Sequence, residues 1–192
     1  IRRQFALEMG FIVPPLHIRD NLQLKSNEYS VVIKGVDVAR DSIMMGRILA
    51  MNPGTTEREL DGIKTTEPTF GLPAVWIPSS KKQEAQMAGF TVVDPATVIT
   101  THIKETIKRH APELLGRQET QALLDKFKET NPKVVEELIP NLLPLGKVQK
   151  VLQNLLKEKI SIRDLRTILE QLSDYASLTQ DADVLTEYVR QS

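Results

Sequence analysis

The sequence predicts an α+β fold, in which a small mixed-sheet α/β part is followed by an all-helical part. Short β-branched runs alternate with helical patterns up to about residue 110. From residue 113 onward, apolar residues recur at helical spacing almost without interruption. The boundary between the two parts is therefore expected near residues 111–116.

The first part contains several turn signals that bound its elements. Lys34-Gly35 separates two β-branched runs and predicts a β-hairpin, and Asn52-Pro53-Gly54 ends a further strand. Asp94 and Pro95 are typical of a helix N-terminus, whereas Ser79 or Ser80 is the expected cap of a shorter helix. The expected elements are helices over 1–10, 79–89 and 95–110, strands at 16–18, 29–33, 36–39, 47–51, 74–77 and 90–93, and a loop over 55–69.

The second part is expected to contain helices over 116–130, 132–138, 145–158 and 162–176. Two of them are strongly amphipathic, with apolar residues three and four apart, and are joined by a short turn. We therefore expect the helices over 145–158 and 162–176 to pack as an antiparallel pair. Ser161 followed by Asp164 resembles a capping box and predicts that the later helix begins at residue 162.

The overall composition excludes several classes of function. Lys and Arg together number 25, as do Asp and Glu, so no basic excess predicts binding to nucleic acid. The absence of cysteine excludes disulfides, thiol catalysis and cysteine metal sites. No apolar run reaches the roughly 18 to 20 residues that a membrane-spanning helix needs. The chain begins and ends within helical patterns, which leads us to expect a fragment of a longer protein.

The residues that could perform chemistry do not form a recognisable catalytic or cofactor-binding pattern. His17, His102 and His110 include no pair at metal-ligand spacing, and His102 and His110 are about 12 Å apart along one predicted helix. Phosphate-binding glycine loops and a GxSxG nucleophile elbow are missing. We therefore predict no enzyme, no cofactor and no metal. The alternative from another class is a small hydrolase that uses His17, Asp20 or His102.

The stretch TTEPTFGLPAVWIPSS, residues 65–80, contains two aromatic residues with different expected roles. Trp76 lies in AVWI, which is typical of a buried strand, and is expected in the core. Phe70 instead lies among turn residues, just after Glu67. A loop aromatic beside a carboxylate is typical of a protein-binding hot spot, although an anchor for the loop is an equal alternative on these residues alone.

Six runs of the sequence resemble the FHIPEP family of type III secretion export-gate components, and its flagellar members in particular. The resemblance extends in order over essentially the whole chain. These runs are IRRQFALEMGFIVPP, HIRDNLQL, GRILAMNPG, FGLPAVWI, GFTVVDPATVITTHI and LGKVQKVLQNLLKEKISIRDLRTILE. The resemblance implies an N-terminal membrane domain in the bacterial inner membrane and a cytoplasmic domain of four subdomains. It also implies that the full-length protein forms a homo-nonameric ring and receives chaperone–substrate complexes and other export-apparatus proteins.

The resemblance implies a division of this chain into three subdomains. Residues 1–45 and 95–114 would form the first, residues 46–94 the inserted second, and residues 115–192 the helical third. The membrane domain and the fourth subdomain would be absent. We expect this fragment to be soluble and monomeric, and to belong to the cytoplasmic side of the inner membrane.

The resemblance also implies a chaperone-docking site formed by an acidic residue, a Phe and a Thr. The loop EPTF matches the first two as Glu67 and Phe70, and TVITTHI matches the third as Thr101. Glu67 stands where some members have Asp. The sequence thus predicts a docking platform of the flagellar export gate, with the equivalent virulence-type gate as the alternative.

Overall fold

The computed structural model describes residues 1–192 as an α+β protein with two small sheets and nine α-helices. The chain divides into two compact units, one formed by Ile1–His17 with Ile107–Ser192 and the other by Ile18–Thr106. No helix is both long enough and apolar enough to cross a membrane. In chain order the elements are α1 (Arg2–Met9), β1 (Glu28–Ile33), β2 (Val36–Ser42), β3 (Arg47–Met51), β4 (Ile63–Thr66), β5 (Pro73–Pro78), α2 (Lys82–Met87), β6 (Thr91–Val93), α3 (Pro95–Arg109), α4 (Ala111–Leu114), α5 (Arg117–Lys128), α6 (Pro132–Leu138), α7 (Leu145–Lys157), α8 (Leu165–Tyr175) and α9 (Ala182–Arg190).

In the unit Ile18–Thr106, β1 and β2 form the predicted antiparallel hairpin, a sheet of only two strands. Lys34 and Gly35 both have positive φ, at 50° and 80°, which is the conformation that a tight two-residue hairpin turn requires. Glycine adopts it without a steric cost, which explains the turn position.

The second sheet of this unit has the strand order β4-β5-β3-β6, and each neighbouring pair is antiparallel. The α+β class is therefore confirmed, but the expectation of mixed pairing is wrong. β5 and β6 are both antiparallel to β3, so they run in the same direction on either side of it. β5 and β6 are joined through α2 as a strand–helix–strand unit, but β3 lies between them in the sheet.

Both faces of β5 are covered. Trp76 is only 5% exposed and packs with Leu49, Ala74 and Val98, the last of which lies on α3. Val75 and Ile77 point to the opposite face and pack with Phe90. Alternate residues of β5 thus enter two different apolar clusters, which explains why every residue of the run AVWI is apolar. The expected core position of Trp76 is confirmed.

Three local predictions for residues 1–110 are wrong. Residues 16–18 form no strand, because nothing in the structure pairs with them. The expected loop over 55–69 contains β4, an edge strand whose exposed, polar residues gave no apolar alternation. The helix after β5 begins as a 3₁₀ turn, Ser79–Lys81, in which neither serine side chain caps the helix.

In the other unit, α7 matches its predicted range within one residue, but α8 begins later than expected. The Asp164 side chain accepts a hydrogen bond from Thr167 N at 3.1 Å and is the N-cap. Ser161 is therefore not the cap. Residue 162 lies before the helix, where its backbone N–H donates to the carbonyl of Met9 at 2.9 Å and its side chain is buried.

The helices of this unit pack differently from the predicted arrangement. α7 packs against α4 and α9, and α8 packs against α6 and α9. The expected antiparallel pairing of α7 with α8 is therefore wrong, because α9 provides the partner face for both helices. The apolar face of α7 is fully buried, through Val148, Val151, Leu152, Leu155 and Leu156.

Candidate functional site

The loop between β4 and β5, Glu67–Leu72, contains Phe70, the aromatic residue of the sequence-predicted site. We call it the Phe70 loop. Its two ends are joined by a hydrogen bond from Glu67 N to Leu72 O at 2.8 Å, and Gly71 N donates to Glu67 O at 3.0 Å. Gly71 has a φ of 68°, a conformation that favours glycine and reverses the chain before β5. The loop is therefore a closed turn with fixed ends.

The carboxylate of Glu67 holds the inside of this loop together. One oxygen, Oε1, accepts a hydrogen bond from Thr69 N at 2.9 Å, and the other, Oε2, accepts from Phe70 N at 2.7 Å. The residue is only 3% exposed. A buried carboxylate that accepts two backbone hydrogen bonds is satisfied within its own loop, and such charge-assisted bonds are stronger than neutral ones.

Phe70 is 63% exposed, although its backbone is fixed by Glu67. This excludes the alternative in which Phe70 anchors the loop in the core. A large apolar side chain held outward on an ordered loop loses little conformational freedom when a partner covers it, which favours binding. The exposure and the fixed backbone are the two properties that make Phe70 a candidate contact residue.

Thr101 is half-buried on α3, the helix that Asp94 caps through a 2.7 Å hydrogen bond from Thr97 N. The next residue, His102, is buried, and its Nδ1 lies 2.6 Å from the hydroxyl oxygen of Tyr29 on β1. The rings of Tyr29 and His102 meet edge to face, with centroids 5.7 Å apart. Thr101 is thus placed by a helix that is attached to the hairpin.

The surroundings of Tyr29 keep its phenol neutral. Burial raises the pKa of the Tyr29 phenol above its ordinary value, and the negative charges of Asp41 and Glu67 raise it further. Asp41 lies opposite Tyr29 in the hairpin register. The phenol therefore remains protonated at neutral pH.

The structure thus brings Glu67 and Phe70 into direct hydrogen-bonded contact and places Thr101 beside the Tyr29–His102 pair. Sequence reasoning missed Tyr29, which occurs in an ordinary β-branched run, EYSVV. No local signal could have found it, because its partner is 73 residues away in the sequence.

A shallow groove of about 290 Å³ lies on the same unit, next to the stems of the Phe70 loop. Its lining includes Leu60, Lys64, Val75 and Phe90, but Phe70 does not line it. The groove therefore follows β4 and β5, while the phenyl ring of Phe70 lies outside it.

The residues of the hydrolase alternative have different environments. His17 and Asp20 are exposed in a segment without regular secondary structure, whereas His102 is buried against Tyr29. His110 Nδ1 lies 3.0 Å from a Glu113 carboxylate oxygen on the surface. No group of three or more His, Asp or Glu side chains is arranged to hold a metal ion.

The fold and this loop define an α+β module that presents an exposed aromatic residue on an ordered loop. The FHIPEP family model matches residues 1–192, and the chain belongs to the FHIPEP family. The flagellar biosynthesis protein FlhA of Bacillus subtilis (strain 168) is 55% identical over 192 residues, which cover 100% of this chain and 28% of that protein. The chain therefore spans about 28% of the length of this curated relative.

Solved structures of related proteins share the fold. A chain of the Chlamydia pneumoniae CdsV and CdsO protein complex has a TM-score of 0.85 at 30% identity, over 98% of this chain and 58% of that chain. The nonameric EPEC SctV-C, determined by cryo-EM, has a TM-score of 0.74 at 26% identity, over 98% of this chain and 57% of that chain. The predicted family and fold class are therefore confirmed.

Proposed function

We propose that this chain is part of a docking platform of the flagellar type III protein export gate and binds export chaperone–substrate complexes. The observation on which the proposal depends is the exposure of Phe70 on a loop whose backbone is held by a buried carboxylate. Docking of a folded partner needs an apolar anchor surrounded by ordered backbone, and Phe70 meets this requirement.

In this proposal the three predicted site residues have different tasks. Phe70 inserts its ring into an apolar pocket of the partner. Thr101 offers a hydroxyl group from α3. Glu67 acts mainly through Phe70, because its carboxylate oxygens already accept hydrogen bonds from Thr69 N and Phe70 N.

A flagellar role is favoured over the virulence-type role by similarity. The flagellar relative from Bacillus subtilis is 55% identical, whereas the CdsV chain is 30% identical. The hydrolase alternative gains no support from the geometry, since the candidate His102 is buried against Tyr29. We propose that the module recognises proteins and catalyses no reaction.

The assembly and the location are part of the proposal. A related cytoplasmic module is nonameric and another was solved with the protein CdsO, which supports a full-length ring that receives further export components. We propose that the full-length protein is attached to the bacterial inner membrane and presents this module on the cytoplasmic side. The isolated chain is expected to be a monomer in light scattering.

Calorimetric titration of a purified flagellar chaperone–substrate complex into this chain tests the proposal. Phe70→Ala is expected to weaken binding about tenfold or more, as truncation of a hot-spot residue does. The matched control is Met87→Ala, which removes another exposed apolar side chain of the same unit and is expected to leave binding unchanged. Equal affinities for the wild type and Phe70→Ala, or no binding by the wild type, would overturn the proposal.

A parallel titration separates the flagellar from the virulence-type function. The same chain is titrated with a chaperone–substrate pair from a virulence secretion system. The flagellar proposal requires binding of the flagellar pair in preference to the virulence pair. The opposite preference would establish the alternative.

A further inference from the structure

The Tyr29–His102 pair joins the two-stranded hairpin to the helix that carries Thr101. β1 and β2 form a sheet of only two strands, and a two-stranded hairpin is marginally stable without further packing. Tyr29 supplies such packing from β1 through its perpendicular ring contact with His102 and through its hydroxyl group, 2.6 Å from Nδ1.

The protonation state of Tyr29 determines which group donates in this hydrogen bond. The phenol stays protonated at neutral pH because burial and two nearby carboxylates disfavour the phenolate. Its O–H can therefore donate to an unprotonated Nδ1 of His102. The His102 carbonyl in turn accepts a 2.7 Å hydrogen bond from the Thr106 hydroxyl, one turn further along α3.

The pair lies next to one residue of the candidate site. Thr101 directly precedes His102 in α3. Tyr29 contacts His102 through both its ring and its hydroxyl group. A displacement of Tyr29 would therefore act on the turn of α3 that carries Thr101.

We propose that Tyr29 is a positioning residue for partner binding, because its hydrogen bond to His102 fixes the turn of α3 that carries Thr101. This inference rests on the proposed function, since it concerns the same binding surface. Tyr29 acts through its neighbours and makes no contact with the partner itself.

The test uses conservative variants that separate the hydroxyl group from the ring. Tyr29→Phe removes the hydroxyl and keeps the ring, and is expected to weaken binding of a purified flagellar chaperone–substrate complex about fivefold to tenfold. Tyr175→Phe is the matched control, because Tyr175 stacks on Tyr188 in the helical unit. This control is expected to bind as the wild type does.

Changes at His102 test whether the two residues act as a pair. His102→Leu removes the acceptor, and combining it with Tyr29→Phe is expected to cost no more affinity than either change alone. His102→Asn keeps a polar atom near the Nδ1 position and is expected to bind more tightly than His102→Leu. Additive losses, or identical affinities for the Asn and Leu variants, would overturn the pairing.

Amide hydrogen exchange in the free protein gives a readout that does not require a partner. Exchange at the Thr101 and His102 amides is expected to be faster in Tyr29→Phe than in the wild type, while amides of α9 are unchanged. Failure of the wild type to bind overturns the proposed function together with this inference. Wild-type binding with unchanged affinity and exchange in Tyr29→Phe overturns this inference alone.

Discussion

The buried carboxylate of Glu67 accepts a hydrogen bond from the backbone N–H of the exposed Phe70, with Oε2 2.7 Å from N. The side chain of Phe70 thus faces solvent, whereas the side chain of Glu67, which holds the Phe70 backbone, is buried. Glu67, three positions before Phe70, therefore stabilises the conformation of the loop. The consequences for binding and for stability can be separated by substitution.

Glu67→Ala is expected to destabilise the protein by about 1–3 kcal/mol, because two backbone N–H groups lose their acceptor in a buried setting. Urea unfolding measures this loss, and faster amide exchange at Thr69 and Phe70 localises it. Glu67→Gln keeps one carbonyl oxygen and is expected to lie between the wild type and Glu67→Ala. Unchanged stability and exchange in Glu67→Ala would contradict the role of Glu67 in the loop.

Part of the candidate site could be predicted from the sequence because its signals are local. The turn residues around Phe70 predict a loop aromatic, and the spacing in EPTF places Glu67 three residues before it. The burial of Glu67 could not be predicted, since a lone glutamate in a polar segment is normally exposed. Tyr29 and His102 were missed as a pair because only the tertiary fold brings β1 onto α3.

In the fold, too, features determined by local sequence could be predicted, whereas features determined by tertiary contacts could not. The hairpin turn at Lys34-Gly35 and the helix starts at Asp94 and Asn131 were predictable, because local backbone chemistry determines them. The late start of α8 was not predictable, because the contact at Ile162 involves Met9, which is distant in sequence. The backbone N–H of Ile162 donates a hydrogen bond to the Met9 carbonyl. β4 was missed for a related reason, since an exposed edge strand is defined by its pairing with β5.

Thr69→Val is expected to stabilise the protein by about 1 kcal/mol. The Thr69 hydroxyl oxygen is buried and has no hydrogen-bond partner, so replacing it with a methyl group removes an unsatisfied polar atom. Thr120→Val is the matched control, because the Thr120 hydroxyl donates to the Gly116 carbonyl at 2.7 Å, and is expected to destabilise. Thermal and urea unfolding measure both changes. A loss of stability in Thr69→Val would mean that its hydroxyl is bonded in solution.

The cap of α3 is expected to make stability depend on pH in the acidic range. The hydrogen bonds from Thr97 lower the pKa of Asp94 below its ordinary value, which is about 3.9 in an unfolded chain. Because the folded pKa is the lower one, the contribution of Asp94 is present above about pH 4 and is lost as the pH falls through the folded pKa.

Asp94→Asn removes this ionisation while keeping an oxygen that can cap the helix. The wild type is therefore expected to lose more stability than Asp94→Asn when urea unfolding is compared at about pH 5 and about pH 3. Equal losses in the two proteins would contradict the lowered pKa of Asp94.

Gly10→Ala is expected to destabilise strongly, through strain and through a steric clash. Gly10 has a φ of 97°, and an added Cβ would lie 2.4 Å from the backbone nitrogen of Arg163. Gly54→Ala is the matched control, since Gly54 has a φ of 88° with open space around it. The control measures strain alone, about 1–3 kcal/mol, and Gly10→Ala should exceed it. Equal unfolding free energies for the two variants would mean that Arg163 moves away at little cost.

Leu152→Ala separates stability from binding. Leu152 is fully buried on α7, so the substitution leaves a cavity and is expected to cost about 2–5 kcal/mol of unfolding free energy. Binding of a chaperone–substrate complex, measured by calorimetry below the melting transition, is expected to be unchanged, because Phe70 and Thr101 lie outside the helical unit. Phe70→Ala should show the reverse, with weakened binding and nearly wild-type stability, because its side chain is exposed. If Leu152→Ala remained folded and lost binding, the helical unit would have to contribute to the partner surface, and the site could not be confined to the Phe70 loop and α3.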